Sequence, residues 1–386
     1  MSRLARAAGL SVALGAATVL PGFLVGALAL QMRGDLDASV TAVAGGVTVF
    51  FLAGAVGAGA GGRLAERLGA LAAMRGAVTV TAACLLGIAA LGGPLGVVFA
   101  LLAVAGLANA VNQPAINLFM ADQVPRDRQG LAFGIKQSAI PGAILVSGLA
   151  LPVLAIPLGW RATFAICGGL VLVVAVIARQ GRGSFHPPEE REPPPRIQRE
   201  LLYLAIGAAL AGAGANALAT YLVASAVDVG IAEGTAGLLA ALGSAASLAM
   251  RMSLGARADR RRDYGYGTVV ALLVSGAGGF ALMATHVPAT FVAGAVTAFA
   301  LGWGWPGLFN LAVVANHREA PAAATGITQS GIYVGASLGP LGYGLLAEGM
   351  GYGAAWAAVG AMSLAGAVVM AVAGRADVTA AQRPAN

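Results

Sequence analysis

Twelve long apolar runs follow one another along the chain. A run of about 18 or more apolar residues is typical of a transmembrane α-helix. Strands of a membrane barrel would instead alternate apolar and polar residues, and these runs do not. The runs lie near residues 8–31, 38–60, 75–93, 95–119, 131–154, 161–178, 201–225, 232–254, 267–287, 290–314, 324–346 and 352–374. The sequence therefore predicts an all-α polytopic membrane protein with twelve transmembrane helices.

The composition also favours a lipid environment. Only 10% of the 386 residues are charged, whereas soluble domains carry roughly 25%, and the mean hydropathy is +0.82. Glycine accounts for 57 residues. Small residues let membrane helices pack closely, but so much glycine would destabilise helices in water.

The basic residues responsible for the net charge of +7 are distributed among loops and are not gathered in one segment of the chain. Twenty of the 23 Lys and Arg residues lie at a terminus or in every second loop, and the exceptions are Arg33, Lys136 and Arg161. Basic loops face the cytoplasm, so we expect cytoplasmic termini in a bacterial inner membrane and no nucleic-acid partner. The basic loops are those around Arg63–Arg75, Arg126–Arg128, Arg179–Arg199, Arg251–Arg262 and Arg318.

One long polar stretch, "RQGRGSFHPPEEREPPPRIQRE", divides the chain near its midpoint. Its prolines and mixed charges are typical of a solvated linker. Six apolar runs lie on each side of it. The predicted organisation is a six-helix bundle over residues 1–178, a cytoplasmic linker over 179–200 and a second six-helix bundle over 201–386.

Three phrases recur at an offset of 192 or 193 residues. "GIKQSAIPGA" from Gly134 resembles "GITQSGIYVGA" from Gly326, and "GWRATFAI" from Gly159 resembles "GYGAAWAA" from Gly351. "GRLAERLG" in the first half likewise resembles "GARADRRR" in the second. Matches at one offset indicate a duplicated unit, so we expect two pseudo-symmetric bundles, as in many secondary transporters.

"GRLAERLG", between the second and third runs, resembles the signature of the major facilitator superfamily, Gly-x-Leu-x-Asp-Arg-x-Gly followed by two basic residues. Glu66 replaces the acid, and Ala70 and Leu71 replace the basic pair. With twelve runs and a central linker, the resemblance covers the whole chain. It implies the fold of that superfamily and a monomeric secondary transporter that moves a small solute by alternating access, with a co-transported ion left open.

The motif has a physical interpretation of its own. A carboxylate and an arginine at a helix end can make charge-assisted hydrogen bonds to a neighbouring helix end and hold one face of the protein shut. The alternative is an ordinary solvated loop. The gating candidates are Gly62, Glu66, Arg67, Gly69, Gly255, Asp259 and Arg260.

Polar residues inside the runs are the substrate-binding candidates, because such residues are costly in lipid and usually face the protein interior. In the fourth run, polar side chains recur every four residues and share one helix face. The alternative for each is helix–helix hydrogen bonding without a ligand. The candidates are Asn109, Asn112, Gln113, Asn117, Lys136, Gln137, Asn216, Tyr221, Trp303, Trp305, Asn310, Gln329 and Tyr333.

Lys136 is the only lysine of the chain, and the matched position of the second half holds Thr328. Two interpretations stay open. The ammonium group could extend back to the lipid headgroups, or it could face a central cavity and pair with an anionic substrate. The sequence around it also resembles bacterial carriers of the cyanate and nitroimidazole-related group.

The classes of residue that are missing also limit the function. No Asp or Glu lies deep in an apolar run, although proton-driven carriers usually bury one. A small organic or inorganic anion is therefore the favoured substrate, and proton-coupled drug efflux is the alternative. The antiporter-like phrase "GASLGP" from Gly335 lies in the eleventh run, not the fifth. No nucleotide-binding motif, metal cluster or catalytic cluster is present, so we expect no cofactor and no enzyme.

Overall fold

A computed structural model of the protein describes residues 3–123, 135–178, 199–261, 265–317 and 321–381. Nearly all of these residues are helical, and no strand occurs within these ranges. Eleven helices are long and apolar enough to cross a membrane. The last of them is two helices that meet at Gly351, whose backbone is not helical. Divided there, the described chain contains twelve membrane helices, which confirms the predicted fold class.

Six helices precede the predicted linker, of which residues 179–198 lie outside the described part. A short helix, Ala29–Asp35, extends the first of them. The bounds are α1 Arg3–Ala27, α2 Val40–Leu68, α3 Ala70–Leu91, α4 Leu95–Gln123, α5 Ile135–Leu158 and α6 Trp160–Ala178.

Six further helices follow. One of them, α10, contains a π-helical turn at Ala298–Gly302 and is interrupted directly after it, at residues 303–305. The bounds are α7 Arg199–Asp228, α8 Glu233–Arg261, α9 Gly267–Ala284 and α10 Pro288–Asn316, with α11 at 321–350 and α12 at 352–381.

The same glycine turn joins the last two helices of each half. Gly159, between α5 and α6, has φ 85° and ψ 160°, and Gly351, between α11 and α12, has φ 83° and ψ 163°. This region of backbone space is open essentially to glycine alone. The two residues are matched positions of the repeat, so the duplication is visible in backbone conformation as well as in sequence.

Glycines also set how closely the helices approach. A methyl group at Gly335 of α11 would lie 2.0 Å from the carbonyl oxygen of Ala209 in α7, and one at Gly339 would lie 2.3 Å from that of Ala213. Small residues spaced in this way let two membrane helices pack backbone to backbone. The phrase "GASLGP" is therefore a packing surface between α11 and α7.

Helices α1–α6 pack mainly against one another, as do α7–α12, and the most extensive contacts between the two groups are α1·α7, α2·α11 and α5·α8. Twelve crossings put both termini on one side of the membrane, and we call the opposite side the far side. The joining contacts cluster there. Gln31 donates to both carboxylate oxygens of Glu233 at 3.0 Å, and Ser39 donates to Glu348 at 2.9 Å.

The far side also carries an ion pair within the first group. Trp160 Nε1 donates to Asp35 at 3.0 Å, and Arg161 pairs with the same carboxylate oxygen. These two partners, the Trp160 hydrogen bond first, hold the pKa of Asp35 below its ordinary value. Arg161, an exception to the charge pattern of the loops, therefore joins the start of α6 to the extension of α1.

Candidate functional site

A central cavity lies between the two groups of helices. Its wall is formed by residues of α1, α2, α4, α5, α7, α10 and α11. The space between them that no atom occupies, including the part that is open to solvent, is about 650 Å³. No carboxylate is among the described residues of this wall. Both halves of the chain contribute, as a site shared by two pseudo-symmetric bundles requires.

Nine of the thirteen predicted binding residues line this cavity. They come from both halves and include five of the six glutamine, lysine and tyrosine candidates. The nine are Asn109, Gln113, Lys136, Gln137, Asn216, Trp303, Trp305, Gln329 and Tyr333.

The other four lie outside the wall. Asn112 is fully buried and donates to Thr18 Oγ1 at 2.8 Å and to the Leu14 carbonyl at 3.2 Å, so it ties α4 to α1. Asn117 is exposed. Tyr221 packs on a tyrosine of α11, with ring centroids 4.7 Å apart. Asn310 is buried beyond the break of α10.

The polar stripe of α4 is held in place by α1. Thr18 Oγ1 donates to Asn109 Oδ1 at 3.2 Å, and Gln113 Nε2 donates to the same oxygen at 3.3 Å. Asn109 therefore has a fixed orientation before any ligand is present. Amides fixed in this way supply neutral donors and acceptors to the cavity.

Lys136 is half-buried near the first described residues of α5, and its side chain is part of the cavity wall. Among the described residues no carboxylate contacts it. Lys136 is thus placed at the cavity, and the direction of its ammonium group stays a prediction.

Two tryptophans at the break of α10 belong to the aromatic part of the wall, together with Phe23, Phe51 and Tyr333. Trp303 stacks on Phe299, with centroids 6.0 Å apart, and meets Phe23 of the first half edge-on at 6.1 Å. Trp305 is 1% exposed, and its indole N–H has no hydrogen-bond partner among the described residues. A buried donor without an acceptor is uncommon, and this one belongs to a residue that lines the cavity.

Arg251 was missed by the sequence analysis, which placed it in a basic loop. Helix α8 continues to Arg261, so Arg251 lies well inside the membrane helix and is only 2% exposed. Its guanidinium donates to the carbonyl of Trp303 through Nε (3.1 Å) and Nη2 (2.6 Å), and to that of Gln137 through Nη1 (2.5 Å). Its place inside the apolar run 232–254 was the signal that could have found it.

The gating candidates lie at helix ends on the termini side. Gly69 (φ 79°, ψ 150°) is the single residue between α2 and α3, and it caps both helices. Glu66 is half-buried, and Arg67 and Arg260 are exposed. Gly62 has open space around it, and Gly255 is buried. The side chain of Asp259 lies outside the described part.

Comparison with known proteins identifies the architecture. The family model described as Major Facilitator Superfamily matches residues 8–201 and 204–386. A crystal structure of a bacterial homologue of the human lysosomal transporter Spinster, inward-facing and unoccupied, matches with a TM-score of 0.70 at 15% identity over the whole of both chains. It is one of 267 solved chains that match significantly, so the fold does not single out a substrate. No curated protein sequence matches significantly.

Proposed function

Since the chain belongs to the major facilitator superfamily, it is a multi-pass membrane protein and a secondary transporter, and we propose that its solute is a small organic or inorganic anion. We propose further that it works in a bacterial inner membrane with both termini in the cytoplasm. The two halves would expose the cavity to each side of the membrane in turn.

The observation that carries the anion proposal is the charge of the cavity. Lys136 contributes an ammonium group to the wall, and no described carboxylate of the wall balances it. A charge out of bulk water is costly unless it is paired. A solute with a negative charge supplies that pair, whereas a cationic solute would raise the cost.

Neutral donors would complete the recognition of an anion. The indole N–H of Trp305 lacks an acceptor, and an oxygen of the solute can provide one. The amides of Asn109, Gln137 and Gln329 line the same cavity and can orient the remaining oxygens. Such groups fix the pose of a ligand at little electrostatic cost.

Proton-coupled drug efflux is the second candidate, and the aromatic wall favours it. Trp303, Trp305 and Tyr333 offer ring faces to the cavity, and cationic drugs bind such faces. The two candidates differ in the sign of the preferred solute charge. They can therefore be separated by one binding panel.

The panel measures thermal stabilisation of the purified protein by small carboxylates, inorganic anions, sugars and cationic drugs. We expect an anion to bind, and we expect Lys136→Thr, which installs the residue of the second repeat, to weaken it about tenfold or more, since a charged hydrogen bond is lost. Lys136→Arg keeps the charge and should stay within a few fold of the parent. Binding of cationic drugs alone, or unchanged anion affinity in Lys136→Thr, would refute the proposal.

A further inference from the structure

Arg251 lies directly behind the cavity wall. Both carbonyls that accept its hydrogen bonds belong to residues that line the cavity, Gln137 of the first half and Trp303 of the second. The bond to Trp303 satisfies a carbonyl at the break of α10. The guanidinium is therefore one residue layer away from any solute.

The charge of Arg251 has no anionic partner within the described part of the chain. Its acceptors are two peptide carbonyls, and no carboxylate contacts it. Arginine stays protonated in proteins, and a buried charge is normally paired with an opposite one. The cavity in front of its acceptors is the space in which a counter-charge can be admitted.

Lys136 and Arg251 belong to the same helix pair, α5·α8. The matched pair in the pseudo-symmetric arrangement is α11·α2. There the positions that correspond to Lys136 (offset 192) and to Arg251 (offset 193, as for Gly62 and Gly255) hold Thr328 and Ala58. At these matched positions, therefore, one helix pair holds two cationic residues and the other holds two neutral ones.

We propose, on the basis of the anion-transport function above, that Lys136 and Arg251 together make this cavity selective for divalent anions over monovalent anions of the same shape. Lys136 contacts the solute. Arg251 is a positioning residue that holds Gln137 and Trp303 and adds the second charge through the wall. Because water is scarce in a membrane interior, this charge is screened less than on a protein surface.

The test uses two pairs of probes in which one negative charge is removed at nearly constant shape: sulfate with methyl sulfate, and succinate with succinamate. Binding to the purified full-length protein is measured by calorimetry or thermal shift. The parent is expected to accept at least one of these pairs. Within that pair, we expect it to bind the divalent anion about tenfold more tightly than the monovalent anion. In Arg251→Gln this ratio should fall towards one, while the affinity for the monovalent member changes less than about threefold.

Two further variants separate charge from folding. Arg251→Lys keeps the charge but not the forked hydrogen bonds, and it should keep the divalent preference. Ser247→Asp introduces a carboxylate one helical turn before an intact Arg251, close to the same Trp303 carbonyl. It should lower the preference as Arg251→Gln does, because residues four apart on a helix face each other.

The outcomes distinguish this inference from the proposal on which it rests. A parent that binds no anion refutes both. A parent that binds both members of each pair equally, or a divalent preference that survives in both Arg251→Gln and Ser247→Asp, refutes the divalent selectivity alone. If Arg251→Gln does not fold, Ser247→Asp and Arg251→Lys provide the test. The inference then requires a lower divalent preference in Ser247→Asp than in Arg251→Lys, and equal preferences refute it.

Discussion

At the scale of single residues, the two halves differ where their charges lie. The repeated phrase of α5 and α11 keeps Gln137 and Gln329 at matched places, and both line the cavity. The residue before each of them is Lys136 in one copy and Thr328 in the other. Thr328 donates to carbonyls of its own helix. The hydroxyl group of Thr328 therefore needs no ligand, and under the proposal above the charge that pairs with the solute comes from the other copy.

A prediction at this scale concerns the gating motif. Asp259→Asn removes the acid of the second copy and, with it, the charge-assisted hydrogen bond that the motif predicts at a helix end. We expect the transport rate in proteoliposomes to fall by about an order of magnitude while affinity is largely retained, since a charged hydrogen bond is worth about 1.5–3 kcal/mol.

The matched control is Arg257→Gln, which removes an exposed charge two residues away, at the position where the first copy of the motif holds the uncharged Leu64. It should transport like the parent. Equal rates in Asp259→Asn and the parent would assign the motif to an ordinary solvated loop.

At the scale of elements, the break of α10 shapes the cavity. Pro306 has no N–H to donate to the preceding turn, and a methyl group at Gly304 would lie 2.4 Å from the carbonyl oxygen of Ala300. The interruption at residues 303–305 turns two tryptophans towards the site and leaves the Trp303 carbonyl to Arg251. Pro114 occupies the matched position of α4, but α4 stays helical there.

The glycine turn between α11 and α12 carries the prediction at this scale. Gly351→Ala should lower the stability of the protein by about 1–3 kcal/mol, because its φ of 83° and ψ of 163° are strained for a residue with a side chain. Thermal unfolding in detergent measures the difference in Tm.

Gly349→Ala is the control, since it lies two residues earlier in helical backbone with no atom within 4 Å of an added methyl group. It should be neutral or slightly stabilising. A Tm for Gly351→Ala equal to that of Gly349→Ala would show that the turn relaxes without cost.

At the scale of the whole molecule, the halves meet on the far side. Gly148 of α5 and Gly237 of α8 approach so closely that a methyl group on either would lie 2.7 Å from the carbonyl oxygen of the other. The hydrogen bonds from Gln31 to Glu233 and from Ser39 to Glu348 lie on the same side. These contacts must part if the cavity is to open there.

Gly148→Val should therefore shift the protein towards a state that is open on the far side. Spin labels at Gly34 and Gly349, one in each half and both exposed, report the separation in a background without Cys84 and Cys167. We expect a larger long-distance population, because a valine side chain cannot fit against the backbone of Gly237.

Gly142→Val is the matched control on the same helix, since an added methyl group at Gly142 has only an ordinary contact, 4.0 Å from Ala16. It should keep the distance distribution of the parent. An unchanged distribution in Gly148→Val would show that this contact does not hold the halves together.

The sequence by itself determined two kinds of feature: the membrane helices, which the lipid environment imposes, and the division into two similar halves, which the duplication imposes. Twelve helices, the reversal at Gly351 and the family all follow from apolar length, from a repeat at one offset and from a short motif. Lipid forces each apolar run to satisfy its own backbone hydrogen bonds, so hydropathy alone identifies the helices. Nine of the binding candidates line the cavity, as expected because polar groups in such runs usually face the interior.

Only the tertiary structure decided which polar residues share the cavity. Asn109 and Asn112 lie on neighbouring faces of one helix, yet the first lines the cavity and the second bonds to α1. Arg251 was assigned to a loop because arginine usually marks the membrane edge. The carbonyls that hold it lie 52 and 114 residues away in the chain. Contacts between helices that are distant in sequence leave no periodic signal, so the position of the second cation could be found only in the folded protein.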